Sequence, residues 1–291
     1  MAGLLNILRD HRPAKIWLIA DGPKEGRPEE TDLCRQARQT AEKLTNWPCE
    51  VRKVYAETNL GLKQRFESGL DVLFSEESEA IILEEDCHPL LDFIPFCEAM
   101  LARYRQEPKV GGISGNCFLP TGARVQGDYF FSRYLHIWGW ATWARSWRAY
   151  DRARWAWPNG GYREYFPRST RQEAKYWNRI FARVSSGQFS TWDYPWASWF
   201  WRQGWVSITP SQNLVRNVGF GPDATNTRDL GVNMGIEREN PLRAPYRGPI
   251  KFQADEGLDQ KIFQNHFLRT EGRLKFWPRL IRSLRKRTAG Y

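Results

Sequence analysis

The feature that most constrains the fold of this chain is the segment 81–86, in which Ile-Ile-Leu runs directly into Glu84, Glu85 and Asp86. A short unbroken apolar run is typical of a buried strand in a parallel sheet, and open α/β sheets bind ligands at the carboxyl ends of such strands. Three crowded carboxylates repel one another unless a cation lies among them. Mg²⁺ and Mn²⁺ usually bind one or two carboxylates together with substrate phosphates. The segment therefore predicts a metal site for a phosphorylated ligand, and the alternative is a solvated acidic loop after a core strand.

Apolar residues elsewhere in the chain recur with strand-like and helix-like spacing in turn. Strand-like segments lie at 14–20, 51–55, 80–83 and 110–114. Helix-like segments lie at 32–46, after 59–61, at 91–104, at 172–184 and at 196–203. This alternation predicts an α/β fold with a doubly wound, mixed but mostly parallel sheet flanked by helices.

The chain has 291 residues, enough for one large domain or two small ones. No stretch approaches the roughly 18 consecutive apolar residues of a transmembrane helix, and residues 1–13 lack the apolar segment of a signal peptide. The five cysteines form no CxxC pair. We therefore expect a reduced, cytoplasmic protein, and a zinc site is not expected.

The formal net charge of +10 favours anionic partners. Part of this excess lies in residues 273–291, where basic residues are interleaved with apolar ones. A basic amphipathic tail of this kind suits an anionic membrane surface, which would make the protein peripheral on the inner face of the membrane. The alternative is a terminal helix that packs on the body with its charges in water.

Tryptophans divide the chain into two unlike halves. Twelve of the 15 lie between Trp138 and Trp205, so we expect a single domain, 1–272, with a nucleotide half up to about residue 130 and an aromatic half from about residue 131. Aromatic walls suit the apolar faces of sugar rings, and also unpaired bases. The candidate wall residues are Trp138, Trp140, Trp143 and Trp192. The alternative is a tryptophan-rich core.

Two polar segments of the first half are candidates for nucleotide contacts. Asp21 ends the first strand, where a carboxylate can accept hydrogen bonds from a base or ribose, although Asp-Gly-Pro is also a strong turn signal. Gly61 precedes a helix that carries Lys63 and Arg65, and a helix N-terminus with two cations favours a phosphate. A capped surface helix is the alternative. The chain has neither a Walker motif nor GxGxxG, which argues against a dinucleotide site.

Asp193 is a lone carboxylate among large rings in Thr-Trp-Asp-Tyr-Pro-Trp. Apolar surroundings raise the pKa of a carboxylate, and such perturbation is typical of a general base. Asp193 also precedes a predicted helix, so an N-cap is the competing interpretation.

Taken together, these segments resemble bacterial nucleotide-sugar glycosyltransferases of the GT-A fold, which are similar to N-acetylglucosaminyltransferase I. The resemblance covers roughly residues 1–230. The segments that carry it are IADGPK, NLGLKQRFESGLD, ILEEDCHPLLDFIPFCEAML, HIWGWATWARSW, STWDYPW and NLVRNVGFGPDATNT. Members of this family commonly begin with one more strand, so the resemblance implies a GT-A-like sheet whose first strand is missing here.

The resemblance also assigns roles to residues. Glu84-Glu85-Asp86 corresponds to the family's acidic triplet, usually Glu-Asp-Asp, so the middle side chain is longer here. It implies that Asp86 holds Mn²⁺ or Mg²⁺ at the donor diphosphate, and that Glu84 and Glu85 lie on the donor side, with Glu85 at the ribose or donor sugar. It further implies that Asp21 faces the nucleobase and that Asp193 is the catalytic base of an inverting transfer.

The expected function is therefore metal-dependent transfer of a sugar from a nucleotide-sugar donor to a glycan or lipid-linked acceptor of the cell envelope. One alternative, a sugar-phosphate nucleotidylyltransferase, shares the sheet and the metal but needs a glycine-rich, arginine-containing loop that residues 1–21 do not offer. The other is a noncatalytic nucleic-acid-binding protein, supported by the positive charge and the aromatic residues. We do not expect nucleic acid to be the partner.

Overall fold

The computed structural model describes residues 1–219 and 241–268 of the chain. The helices in these residues are α1 Ala2–His11, α2 Pro28–Leu44, α3 Leu62–Glu76, α4 Phe93–Tyr104, α5 Ala144–Arg148, α6 Tyr162–Tyr165, α7 Arg171–Ser185, α8 Asp193–Arg202 and α9 Glu256–Ile262. The strands are β1 Lys15–Ala20, β2 Glu50–Tyr55, β3 Glu79–Ile82, β4 Cys87–Pro89, β5 Val110–Ser114, β6 Tyr129–Ser132, β7 Trp140–Trp143, β8 Val206–Pro210 and β9 Val215–Asn217. A π-helical turn, Phe263–Phe267, continues α9.

A five-stranded mixed sheet with the order β3-β7-β5-β8-β6 forms the centre of the fold. β5 and β8 pair in parallel, while the other three pairings are antiparallel. The expectation of a mostly parallel sheet is therefore wrong for this sheet. The reason is that β6 and β7 follow β5 without a crossover helix, and β7 enters between β3 and β5 in the opposite direction. A helix between strands is what usually makes neighbours parallel.

Two smaller sheets adjoin this centre. β1 and β2 pair in parallel, from Lys15 opposite Glu50 to Ala20 opposite Tyr55, which is the arrangement expected of two strands joined by a helix. β4 and β9 pair antiparallel, with His88 opposite Arg216. β4 directly follows the acidic segment, and its pairing with β9 brings residues 215–217 close to that segment.

The buried side chains form two clusters that separate by face of the central sheet. Side chains of a strand alternate between faces, so Trp140 joins one cluster while Ala141 and Trp143 join the other. The cluster with Trp143 includes the apolar side of α4, and the cluster with Trp140 includes α7 and α8. The fold is thus a mixed α/β arrangement with helices on both faces of the sheet.

Most of the predicted elements are present with shifts of a few residues at their ends. The predicted strand at 110–114 matches β5, and the predicted helix at 172–184 lies within α7. Thr170 caps α7 by accepting a hydrogen bond from the backbone N–H of Glu173. The central sheet takes strands from both sides of residue 130, so the nucleotide and aromatic halves share one sheet.

None of the helices in residues 1–219 and 241–268 is long and apolar enough to cross a bilayer. The predicted basic tail, 273–291, lies outside the described residues and remains a sequence-based expectation. The part of the segment NLVRNVGFGPDATNT that follows Gly219 also lies outside them.

Candidate active site

The acidic segment follows β3 at its carboxyl end, as predicted from the apolar run. Glu84 is partly buried there and Glu85 is exposed. Burial, together with the charges of Asp86, Glu85 and Asp193, raises the pKa of Glu84 from its ordinary value of 4.5 to about 7. Glu84 therefore keeps its proton to a higher pH than an ordinary glutamate. A nearby cation would stabilise its charged form.

Asp86, the last residue of the acidic segment, contacts the chain that follows β9. Its backbone oxygen accepts a hydrogen bond of 2.8 Å from the N–H of Val218. Among the described residues, its side-chain Oδ1 accepts only a weak contact of 3.5 Å from the Cys87 thiol. A Cβ atom added to Gly219 would lie 2.1 Å from Oδ2 of Asp86. The absence of a side chain at position 219 is thus what leaves room for this carboxylate.

Asp193 is the first residue of α8, far from the acidic segment in sequence. Its Oδ1 accepts hydrogen bonds from the Thr191 hydroxyl and, at 2.8 Å, from the N–H of Tyr194. Burial raises the pKa of Asp193, and these two hydrogen bonds oppose that rise. The carboxylate has the perturbed acidity of one sequence interpretation, whereas the N-cap interpretation is wrong: Trp192 is the N-cap of α8, and Asp193 is its first residue. Its charge also reaches Glu84.

A cavity of about 170 Å³ opens beside Asp193. Its polar lining includes Asp193, His136 and His266. Its walls are aromatic and include Phe118, Tyr134, Trp138, Trp177, Trp196 and Trp201. A carboxylate of raised pKa at the edge of a concave aromatic site is the arrangement expected of a binding or catalytic pocket.

Phe118 forms one wall of this cavity with a backbone conformation that bulky residues rarely adopt. Its φ is 50°, in the left-handed region. Side chains hold it on both sides: Asn213 Oδ1 accepts from the Phe118 N–H at 3.1 Å, and Asn265 Nδ2 donates to its carbonyl at 2.9 Å. The ring stacks on His266 with centroids 4.0 Å apart and meets Trp138 edge-on at 5.1 Å. Strain of this kind persists where surrounding structure enforces it, and it clusters at functional sites.

Only one of the four predicted wall tryptophans lines the cavity. Trp138 does, and it is partly exposed. Trp140 and Trp143 are each 1% exposed and lie in the two separate cores, because they occupy opposite faces of β7. Trp192 is also buried, stacked between Phe66, at 3.6 Å, and Trp140, at 5.9 Å. For these three the core interpretation applies.

Asp21 accepts four hydrogen bonds from its own chain. The donors are the backbone N–H groups of Gly22, Leu60 and Gly61 and the side chain of Asn59, at distances of 2.8–3.0 Å. A carboxylate has about four acceptor positions. Asp21 therefore ties the turn after β1 to the start of α3, and this geometry supports the turn interpretation over a nucleobase contact.

The two predicted cations of α3 differ in their surroundings. Arg65 donates to the carbonyl of Val54 at 3.2 Å, and burial lowers its pKa. Lys63 is exposed. Lys63 is consequently the more exposed of the pair, with its side chain in solvent.

The described residues could supply only part of the ligand shell of a divalent cation. No group of three or more His, Cys, Asp or Glu side chains in the described part of the chain is arranged to hold a metal. Mg²⁺ and Mn²⁺ at nucleotide sites commonly take one or two carboxylates and complete their shell with phosphates and water. Asp86, with little hydrogen bonding of its own, and Glu84, with its raised pKa, have the chemistry of such ligands.

Sequence reasoning missed several cavity residues, namely His136, His266, Phe118, Trp177 and Trp196. His136 stands two residues before Trp138 in the tryptophan-rich segment, so its position was available as a signal. His266 and Phe118 come from parts of the chain with no distinctive pattern. Their place beside Asp193 depends on long-range packing that spacing alone does not encode.

A scan against protein-family models gives no match for this chain, and a search of curated proteins gives none either.

Proposed function

We propose that this protein is a glycosyltransferase of the GT-A type that moves a sugar from a nucleotide-diphosphate donor to a glycan or lipid-linked acceptor. The observation that carries the proposal joins two acidic groups that are distant in sequence. The charge of Asp193, at the start of α8, contributes to the raised pKa of Glu84, just after β3, and an aromatic cavity opens beside Asp193. One acidic site suits a donor diphosphate with its cation, and the other suits an acceptor hydroxyl.

On the donor side, Asp86 and Glu84 would hold Mn²⁺ or Mg²⁺ together with the donor phosphates. Such a cation neutralises the charge that develops on the departing nucleoside diphosphate. Lys63, exposed near the start of α3, would add a further positive charge. Glu85, the exposed member of the segment, would contact the ribose or the donor sugar.

On the acceptor side, Asp193 would take the proton from the attacking hydroxyl. As the new bond to the anomeric carbon forms, the bond from that carbon to the diphosphate oxygen breaks. A raised pKa suits this role, because a base works best when its pKa approaches the working pH. The hydrogen bonds from Thr191 and Tyr194 fix one oxygen and leave the other for the acceptor.

The alternatives receive less support. None of the large apolar residues exposed in residues 1–219 and 241–268 is aromatic, so the exposed surface of these residues gives little support to stacking of nucleic-acid bases. A nucleotidylyltransferase would need no general base such as Asp193 next to an aromatic cavity. Location in the cytoplasm, with the tail on the membrane, accompanies the main proposal because envelope glycans are assembled there from nucleotide sugars.

The test is a thermal-shift panel of nucleotide sugars with and without Mn²⁺. We expect at least one nucleotide sugar to stabilise the protein only when Mn²⁺ is present, since ligands that bind the folded state raise its melting temperature. Asp86→Asn should abolish this metal-dependent shift, while Asp32→Asn on the exposed side of α2 should leave it unchanged. The proposal fails if no nucleotide sugar gives a metal-dependent shift, or if the Asp86→Asn protein responds like the wild type.

A further inference from the structure

Three residues that line the cavity beside Asp193 carry a buried polar nitrogen without a hydrogen-bond partner among the described residues. They are Nε2 of His136 and the indole Nε1 atoms of Trp177 and Trp196. His136 is 5% exposed, Trp177 2% and Trp196 1%. Buried polar groups in folded proteins are nearly always paired, and groups left unpaired call for a partner outside the chain. Three such residues around the one cavity that also holds Asp193 favour a ligand with polar groups there.

The charge of the cavity determines which ligands it can accept. Burial lowers the pKa of His136 well below its usual value, so its imidazole is neutral. A neutral imidazole has one donor and one acceptor nitrogen, so it can pair with a hydroxyl in either sense. Asp193 is the carboxylate of the cavity lining. Its charge disfavours phosphates and carboxylates, and it favours a neutral molecule with hydroxyl groups.

The walls add a requirement of shape. The rings of Trp138, Phe118 and Trp196 offer flat apolar surfaces, while the unpaired indole N–H groups need acceptors. A pyranose ring combines both properties, since it has apolar C–H faces and hydroxyls around its edge. The volume of about 170 Å³ is far larger than a single water needs and is small for an oligosaccharide.

We infer that this cavity is the binding site for one neutral pyranose ring of the acceptor, with His136 as its principal polar contact. The inference rests on the proposed glycosyl transfer, because it is the nearness of Asp193 that makes the bound ring an acceptor. It adds that the acceptor ring is uncharged. It also assigns ligand contact to His136, Trp177 and Trp196, which the donor site does not use.

The experiment measures sugar binding to the full chain without donor or metal. The probes are the methyl glycosides of glucose, galactose, mannose and N-acetylglucosamine, followed by saturation-transfer NMR. We expect at least one of them to bind the wild-type protein, and glucose 6-phosphate to bind at least about tenfold more weakly. His136→Phe, which keeps a flat ring but removes both nitrogens, should weaken binding by about tenfold. His136→Gln, which restores a polar group, should recover part of the loss.

Circular dichroism of each variant checks that it folds. If His136→Phe does not fold, Trp138→Leu at the partly exposed edge of the cavity takes its place, and it too should weaken binding. Binding of none of the glycosides, or equal binding to wild type and the cavity variant, would overturn the inference. A donor that binds with Mn²⁺ while no glycoside binds would leave the transferase standing without this subsite. Glycoside binding without any donor response would leave a sugar site without transfer.

Discussion

The negative charge of Asp193, at the start of α8, contributes to the raised pKa of Glu84, just after β3, although the two residues come from different halves of the chain. Burial is the main cause that raises the pKa of Glu84 to about 7, and the charges of Asp86, Glu85 and Asp193 add to it. Ionising Glu84 together with these neighbouring carboxylates therefore lowers the free energy of unfolding. Functional sites commonly carry destabilising charge of this kind, because the ligand that binds there relieves it.

The first prediction concerns stability against pH. The pKa of Glu84 is about 7 in the folded protein and 4.5 in its ordinary state. Because the folded-state pKa is the higher one, the stability from protonated Glu84 is fully present below about pH 4.5 and is lost as the pH rises through about 7. Glu84→Gln should remove this loss and make the protein more stable than wild type at pH 8, by on the order of 3 kcal/mol.

Urea unfolding at pH 5 and pH 8 measures this difference. Glu98→Gln, which makes the same change at an exposed position of α4, is the matched control and should shift stability by less than about 0.5 kcal/mol. Equal pH dependence in wild type and Glu84→Gln would show that Glu84 is not the strained carboxyl.

The second prediction separates binding from chemistry at Asp193. Asp193→Asn keeps the size of the side chain and an oxygen that can accept from Thr191 and Tyr194. It removes the proton acceptor, so turnover should fall by about 10²- to 10⁴-fold, the usual contribution of a general base. The Mn²⁺-dependent thermal shift with the donor should stay close to that of wild type. Turnover near the wild-type rate in Asp193→Asn would remove this residue as the base.

The third prediction uses the close approach of Gly219 to Asp86. A methyl group at position 219 would lie 2.1 Å from Oδ2, 2.9 Å from Cγ and 3.0 Å from Cβ of Asp86, so the carboxylate must move. Gly219→Ala should weaken metal-dependent donor binding by about tenfold while changing stability by less than about 1 kcal/mol. Gly257→Ala is the control, because its new Cβ would meet only Asp255 Oδ1, at 3.4 Å. Unchanged donor affinity in Gly219→Ala would mean that Asp86 does not hold the metal.

The sequence was sufficient to predict that the acidic segment follows a strand, but not to predict the aromatic cavity. An apolar run followed by carboxylates predicts a strand end from local pattern, and Glu84, Glu85 and Asp86 do follow β3. The tryptophans carried no equivalent information. The segment Trp140–Trp143 is strand β7, whose alternation puts its two indoles on opposite faces of the sheet.

The pairing direction in the sheet also escaped prediction. β7 lies beside β3 because Ile81 pairs with Ala141, a contact between residues far apart in the chain. Such contacts depend on packing of the whole fold, whereas the helix periodicity of α7 depends on neighbouring residues only. The same reason explains why Asp193 was recognisable as a perturbed carboxylate while its neighbours His136 and His266 were not.

The last prediction concerns a buried ionic cluster that contacts the cavity wall through Tyr134. Arg133 contacts Asp259 at 3.1 Å and Glu173 at 3.5 Å, and both carboxylates are at most 1% exposed. Glu173 also accepts hydrogen bonds from Tyr134, a residue of the cavity wall, and from Tyr162. Removing one partner of a buried ion pair leaves an uncompensated charge, which typically costs 3–5 kcal/mol.

Arg133→Met should therefore lower the free energy of unfolding by about 3–5 kcal/mol in urea titrations at pH 7. Arg168→Met, which makes the same change at an exposed position nearby, should stay within about 0.5 kcal/mol of wild type. Adding Asp259→Asn to Arg133→Met should recover part of the loss, because it removes one of the two stranded charges. A loss equal to that of Arg168→Met would mean that the buried carboxylates are held neutral without Arg133, and that the cluster contributes packing rather than charge pairing.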